Sequence, residues 1–149
     1  MSYQRLIQVE FNHCDPAGIV FYPRYFEMTN SVIENFFAER LGRSFAQITM
    51  RDHGGVPTVR ITADFRAPSR LGDMLTFTLT VRHLGGSSVA LALTATVGPE
   101  VRLAADLTLV WVTPKGRAAP WPADLRAAAA VQHLRAFGLA QLQVAQDLG

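Results

Sequence analysis

Core-forming residues between Pro23 and about Leu41 recur three or four positions apart, through Tyr25, Thr29, Val32, Ile33, Phe36, Phe37 and Leu41. That spacing predicts one helix of roughly five turns, with Pro23 in its first turn and Gly42 just past its end. Phe26, Met28 and Ala38 carry apolar surface beyond the single stripe that a surface helix needs. A helix buried on several sides has to be wrapped, and a curved sheet is the element that wraps it.

The rest of the chain supplies such a sheet. From Tyr3 to Phe11, Ile7, Val9 and Phe11 alternate with Gln4, Gln8 and Glu10, the period of a half-buried strand. Val59, Ile61, Ala63 and Phe65 alternate with Thr58, Arg60, Thr62, Asp64 and Arg66 in a second. After the turn Pro68 to Gly72, Leu75, Phe77, Leu79 and Val81 alternate with Thr76, Thr78, Thr80 and Arg82, and Gly85-Gly86 stands where a hairpin would turn. Val89, Leu91, Leu93 and Val97 mark a fourth strand, and Val101 to Val112 a fifth beyond Gly98-Pro99. Short Gly- and Pro-containing turns predict antiparallel hairpins between successive strands, with the helix between the first two. The fold class is therefore α+β, a five-stranded antiparallel sheet around one long helix. A periodic, Ala-rich tail from about Pro122, with Leu125, Ala129, Leu134, Phe137 and Leu142, predicts one or two extra C-terminal helices. Residues 1–149 read as a single domain, with its core at about 3–112 and the helical tail at about 122–149.

Composition narrows the function classes. At 149 residues and 49% hydrophobic content, the chain can bury a core without disulfides or a structural metal. No apolar run is long enough to span a bilayer, and the N-terminus lacks a secretory pattern, so a cytoplasmic protein without membrane partners is expected. The one cysteine, Cys14, can neither close an internal disulfide nor assemble a zinc site. A single lysine, Lys115, accompanies scattered arginines. Arginine suits phosphate contacts, but without a concentrated basic stripe nucleic acid is not the expected partner.

The connector Asn12 to Tyr22 mixes Asp15-Pro16 and Gly18 with Ile19, Val20, Phe21 and Tyr22, and an apolar connector tends to be buried. Pro16 keeps Asp15 out of the α region, while Gly18 permits backbone angles closed to other residues. The loop ends at Pro23, where free N–H groups and the positive end of the helix dipole converge on a place able to hold an oxyanion.

The run Cys14-Asp15-Pro16-Ala17-Gly18-Ile19-Val20-Phe21-Tyr22-Pro23-Arg24-Tyr25 resembles the signature of the 4-hydroxybenzoyl-CoA thioesterase family of bacterial acyl-CoA thioesterases. Gly72-Asp73 and Gly86-Ser87-Ser88 fit the family pattern more loosely. The resemblance implies the hotdog fold, a sheet wrapped around a central helix, in agreement with the strand and helix order above. It implies hydrolysis of an acyl- or aryl-CoA thioester with no cofactor besides the coenzyme A of the substrate. Asp15 takes the position of the family's essential carboxylate, as nucleophile or general base. Tyr22 takes that of the residue whose backbone amide polarises the thioester carbonyl. It also implies a homodimer or homotetramer with the site at a subunit interface.

Around these two, Gly18, which also shapes the loop, and Phe21, Tyr25 and Phe26 are candidate substrate-binding residues, the three rings as walls for the acyl group. Familial contacts on the second strand fall at Val56, Pro57 and Thr58. The basic run that meets the nucleotide in the family's namesake is replaced here by Gly85-Gly86-Ser87-Ser88. Ser88 and Arg82, with Arg66, Arg70 or backbone amides, are then the candidates for that end of the ligand.

Each of these has a plainer reading. Aspartate before proline often only caps a turn. His13 and Cys14 read as structural residues, and Glu27 and Glu34, which sit where other hotdog thioesterases carry a helical carboxylate, read as helix surface. A non-catalytic acyl-CoA or acyl-carrier binding protein is the alternative function. A hotdog hydratase is disfavoured, because its Asp and His pair is not found.

Overall fold

The computed structural model describes residues 2–148, with side chains as far as Ala136. Strand β1 is Tyr3–Gln8 and helix α1 is Arg24–Arg40. β2 (Thr58–Phe65), β3 (Met74–Leu84), β4 (Ser88–Val97) and β5 (Glu100–Val110) follow, and helix α2 (Ala123–Leu148) ends the chain. The strands form one antiparallel sheet in the order β1-β3-β4-β5-β2. This is the hotdog arrangement the sequence predicts, with a single C-terminal helix added.

Alternation along three central strands builds the inner face. Phe77, Ala95 and Leu103 lie in one cross-strand row, Leu79, Leu93 and Ala105 in the next, and Val81, Leu91 and Leu107 in a third. All are buried, and Val32, Ile33, Phe36 and Phe37 of α1 join them in one apolar cluster. At about 25 cal/mol for each Å² of apolar surface removed from water, burial of these side chains is the main force holding helix to sheet.

Three expectations are corrected. β2 is not the hairpin partner of β3: it pairs with β5 at the far edge of the sheet. The two edges of β3 are already taken by β1 and β4, so the Pro68–Gly72 segment is a crossover and not a tight hairpin. The first strand stops at Gln8, and Phe11 is 85% exposed. There a 3₁₀ turn, Phe11–His13, begins, and the His13 ring and amide bond back to Glu10 and end the alternation. Finally, the apolar side of β2 is not buried: Val59, Ile61 and Phe65 stay 59%, 39% and 46% exposed. No local pattern marks the π-helical turn Gln47–Arg51, in the connector from α1 to β2, which buries Ile48.

The tail docks on the β3–β4 hairpin. Trp121 packs against Phe37 and Trp111 at ring separations of 6.5 and 5.9 Å, and its indole N–H donates to the Ser88 carbonyl at 3.1 Å. Leu125 and Ala129 are buried beside it, Arg126 donates to the Gly85 carbonyl, and Arg43 pairs with Asp124. A Cβ at Gly85 would sit 2.5 Å from the Ser88 hydroxyl, so a larger residue there would make the Ser88 side chain turn away. Leu134 points outward, while the predicted apolar positions Phe137 and Leu142 lie outside the residues whose side chains are described. Among the described residues no helix is long and apolar enough to cross a membrane. Trp121→Ala is expected to destabilise the fold by about 3–5 kcal/mol, read as a lower urea midpoint with an unchanged slope.

Candidate functional site

The connector between β1 and α1 folds back on itself as a small hairpin. The Asp15 amide donates to Ile19 O at 3.0 Å, Gly18 N to Asp15 O at 2.9 Å and Phe21 N to His13 O at 2.9 Å. Gly18 sits at φ 77°, a conformation that a side chain would strain. The Asp15 side chain, half-buried, accepts the Ala17 amide on Oδ1 at 2.9 Å. One carboxylate oxygen is thus anchored, and among the described residues Oδ2 has no partner.

The loop then runs directly into α1. Arg24 N, Tyr25 N and Phe26 N are held by Phe21 O, Tyr22 O and Pro23 O. Among the described residues the Tyr22 amide donates to nothing, and it stands at the positive end of the helix.

A second connector clamps the first. Residues between β2 and β3 meet the loop through a bridge of Ile19 with Arg70, with Val20 N donating to Ser69 O at 2.9 Å and Leu71 N to Gly18 O at 3.2 Å. Asp73 Oδ2 accepts both the Arg70 amide at 2.9 Å and Arg102 at 2.7 Å, and Arg102 also donates to Pro68 O. The Arg70 amide first, and the Arg102 guanidinium next, hold the Asp73 carboxyl below the usual carboxylate range, and the same pairing raises Arg102.

Aromatic rings gather around Phe65 at the end of β2. Tyr22, Tyr25 and Phe26 lie 5.8, 5.7 and 6.2 Å from it, and Phe21 touches Tyr22. Beside this cluster an open hollow of about 160 Å³ is lined by Phe26, Thr29, Asn30, Ile33, Thr58, Ile61 and Leu107. Thr58 and Phe26 therefore line the hollow together, and Phe21 and Tyr22 stand exposed at the loop's end. Tyr25 does not line it: the ring is 4% exposed and its hydroxyl donates to Ser69 Oγ at 2.8 Å. Val56 packs against the core.

Arg82 and Ser88 are not brought to the loop. Arg82 lies near the other end of β3, roughly 25 Å along the strand from Met74, in an outer-face cleft with Arg60 and Asp106. The Ser88 carbonyl is taken by Gly85 N and Trp121. Arg70, by contrast, is exposed right beside the loop. His13 is structural, its Nδ1 accepting the Glu10 amide at 2.9 Å, and Cys14 Sγ donates to Glu10 O. Glu27 forms a surface pair with Arg24, and Glu34 is exposed. Among the described residues no cluster of His, Cys, Asp and Glu could hold a metal ion.

Sequence reasoning missed Phe65 as the aromatic hub, Asn30 in the hollow and Ser69. Phe65 was visible only as one more apolar strand position, and nothing local marks a serine after a proline as a tie between distant segments.

Comparison with known proteins places these features in context. The model of the thioesterase-like superfamily matches residues 9–129. A 4-hydroxybenzoyl-CoA thioesterase of Pseudomonas sp. (strain CBS-3) is 31% identical over 78 residues, 51% of this chain. The match spans 55% of that relative, about half its length. A solved gentisyl-coenzyme A thioesterase, 27% identical, superposes with a TM-score of 0.77 over 83% of this chain and 99% of its own. A 1,4-dihydroxy-2-naphthoyl-CoA thioesterase from Synechocystis shares the fold with a TM-score of 0.79 over 87% of this chain and 96% of its own, at 21% identity.

The Asp73 pairing has a pH signature. A carboxyl whose folded pKa lies below its unfolded value stabilises the fold at pH above the unfolded pKa, and that contribution is lost as pH falls through the folded value. Asp73→Asn is therefore expected to lower stability by about 1–2 kcal/mol at pH 7. The gap to wild type closes in acid, below the depressed pKa, and urea melts across pH measure it.

Proposed function

Since the chain belongs to the thioesterase-like superfamily, we propose that it hydrolyses the thioester of an acyl- or aryl-coenzyme A to the free acid and coenzyme A. The observation that carries this reading is the Tyr22 amide, left without an acceptor at the start of α1 beside the loop that holds Asp15. Such an N–H is the donor that a thioester oxygen needs as negative charge develops on it.

Asp15 is the other half. Its anchored Oδ1 fixes the carboxylate plane, and Oδ2 is free to act. In one route this oxygen adds to the carbonyl carbon, the C–S bond breaks, the thiolate takes a proton from solvent, and water hydrolyses the mixed anhydride. In the other, Asp15 takes a proton from a water molecule as that water adds to the same carbon, and the same bond breaks. Both routes use the Tyr22 amide, and neither calls for a cofactor beyond the coenzyme A of the substrate.

The hollow supports a compact acyl group. An enclosed cavity of about 150 Å³ lined by aliphatic and aromatic side chains takes up one benzene ring; the hollow here has a similar volume but is open, and mixes apolar walls with Thr29, Asn30 and Thr58. The names of two relatives, a 4-hydroxybenzoyl-CoA and a gentisyl-CoA thioesterase, point to substrates with one substituted ring. Phe26, Ile33, Ile61 and Leu107 would hold the ring, and Thr58 and Asn30 offer polar atoms to its substituents. Arg66 and Arg70 are the exposed cations nearest in sequence to the clamp, suited to the nucleotide phosphates. Arg82 and Ser88, expected at the nucleotide end of the ligand, lie at the end of the sheet away from the Asp15 loop.

β2 supports assembly with a second copy. It is an edge strand with unpaired backbone groups, and its apolar side chains Val59, Ile61 and Phe65 are exposed beside Phe21 and Tyr22. A second copy laid along this edge would cover them and roof the hollow, putting the site at the subunit interface of a homodimer. Pairing of dimers into a homotetramer is a further step.

Asp15→Asn is expected to lower kcat by about two orders of magnitude or more, measured as thiol release from benzoyl-CoA and a panel of aliphatic acyl-CoAs. A variant with wild-type turnover would reduce Asp15 to a turn residue, and wild-type protein that binds these thioesters unhydrolysed would make it a binding protein. Sedimentation velocity is expected to give a dimer or a larger assembly. Val59→Asp, which would trap a charge in the interface, is expected to shift it to monomer with loss of activity, and a fully active wild-type monomer would rule the shared site out.

A further inference from the structure

Ser69 is buried, with 1% exposure, in the crossover between β2 and β3. Serine in a connector is ordinarily solvated, so its burial calls for partners. It has two, from the two halves of the site. The Ser69 carbonyl accepts the amide of Val20, on the loop that carries Asp15, at 2.9 Å. Its hydroxyl accepts the Tyr25 hydroxyl, from the first turn of α1, at 2.8 Å. Tyr25 stands three residues past Tyr22, whose amide faces the reacting carbonyl in the reading above.

The serine is itself held in place. Arg102 donates to the carbonyl of Pro68 on one side of it, and Asp73 accepts the amide of Arg70 on the other. Arg102 and Asp73 close this frame with their own bond at 2.7 Å. The remainder of α1 is fixed by the apolar packing of Val32, Ile33, Phe36 and Phe37 and does not need Ser69 for its fold. What packing cannot fix is the registry of the first helical turn against the loop, because apolar contacts are non-directional. A buried hydroxyl pair is directional.

We infer that Ser69 is a positioning residue: it sets the Asp15 loop against the first turn of α1 so that carboxylate and amide address the same carbonyl. This rests on the thioesterase reading. Ser69 touches no reacting atom, and its effect passes through Val20 and Tyr25. Misplacement by about 1 Å is enough to slow a preorganised site by up to a hundredfold.

The test separates positioning from stability. Ser69→Ala leaves the Tyr25 hydroxyl buried without a partner and lowers Tm, whereas Ser69→Ala combined with Tyr25→Phe removes both polar groups and restores much of the stability. With benzoyl-CoA, or the best substrate of the acyl-CoA panel, the double variant is expected to keep kcat at least about tenfold below wild type. Its KM is expected to stay within about threefold, since the hollow is untouched. If kcat returns with Tm in the double variant, or if only KM changes, the inference is overturned and the pair serves folding alone. If the wild type turns over no thioester, or Asp15→Asn is as active as wild type, the underlying reading fails and the inference falls with it. Full kcat in the double variant beside an inactive Asp15→Asn removes the positioning role alone.

Discussion

Burial of α1 against the inner face of the sheet is the constraint on which the rest of this structure depends. Phe36, Phe37, Val32 and Ile33 interlock with rows contributed by β3, β4 and β5, and moving the helix would open cavities in a close-packed interior. A rod held so firmly along its length has a fixed beginning. That beginning is Pro23, and the amides just before and after it are therefore presented at one place in the fold.

The candidate site is assembled around this fixed point from one contiguous run and one segment distant in sequence. The Cys14–Val20 hairpin brings a carboxylate, the Tyr22 amide just before α1 is unpartnered among the described residues, and the β2–β3 crossover braces both the hairpin and the helix start. Crossover and site are linked by topology. Because β2 pairs with β5 at the far edge, the chain must travel back to β3, and on the way it passes under the loop. The same topology leaves the apolar side of β2 uncovered, with Phe65 gathering the rings of Tyr22, Tyr25 and Phe26. The open edge and the open hollow are thus one feature, which a second copy would close.

How far this was legible in the sequence depended on whether the signal was local. The spacing from Tyr25 to Leu41 and the strict alternation of Leu75 to Val81 encode element type directly, because each periodicity has only one regular backbone that satisfies it. Phe11 shows where that logic stops. It continues the alternation of β1 in sequence, but hydrogen bonds between Glu10 and His13 turn the chain before it. Val59, Ile61 and Phe65 show a second limit, since alternation tells which side of a strand is apolar and not what covers it. Strand neighbours were misjudged for β2 because edge occupancy is a property of the whole sheet. In the site, Asp15, Gly18 and Tyr22 lie in one contiguous run and could be read together. Ser69 reaches Tyr25 across 44 positions, and no local pattern announces such a bond.

The central claim is that the Tyr22 amide takes the thioester oxygen while Asp15 stands ready at the carbon. Difference infrared spectroscopy tests it most directly, with benzoyl-CoA labelled with ¹³C at the thioester carbonyl and bound to the Asp15→Asn protein, in which turnover is too slow to interfere. The account predicts that the labelled carbonyl stretch moves to lower frequency on binding, the sign of an oxygen polarised by a preorganised donor. A bound thioester whose carbonyl stretch stays at its solution frequency would contradict it.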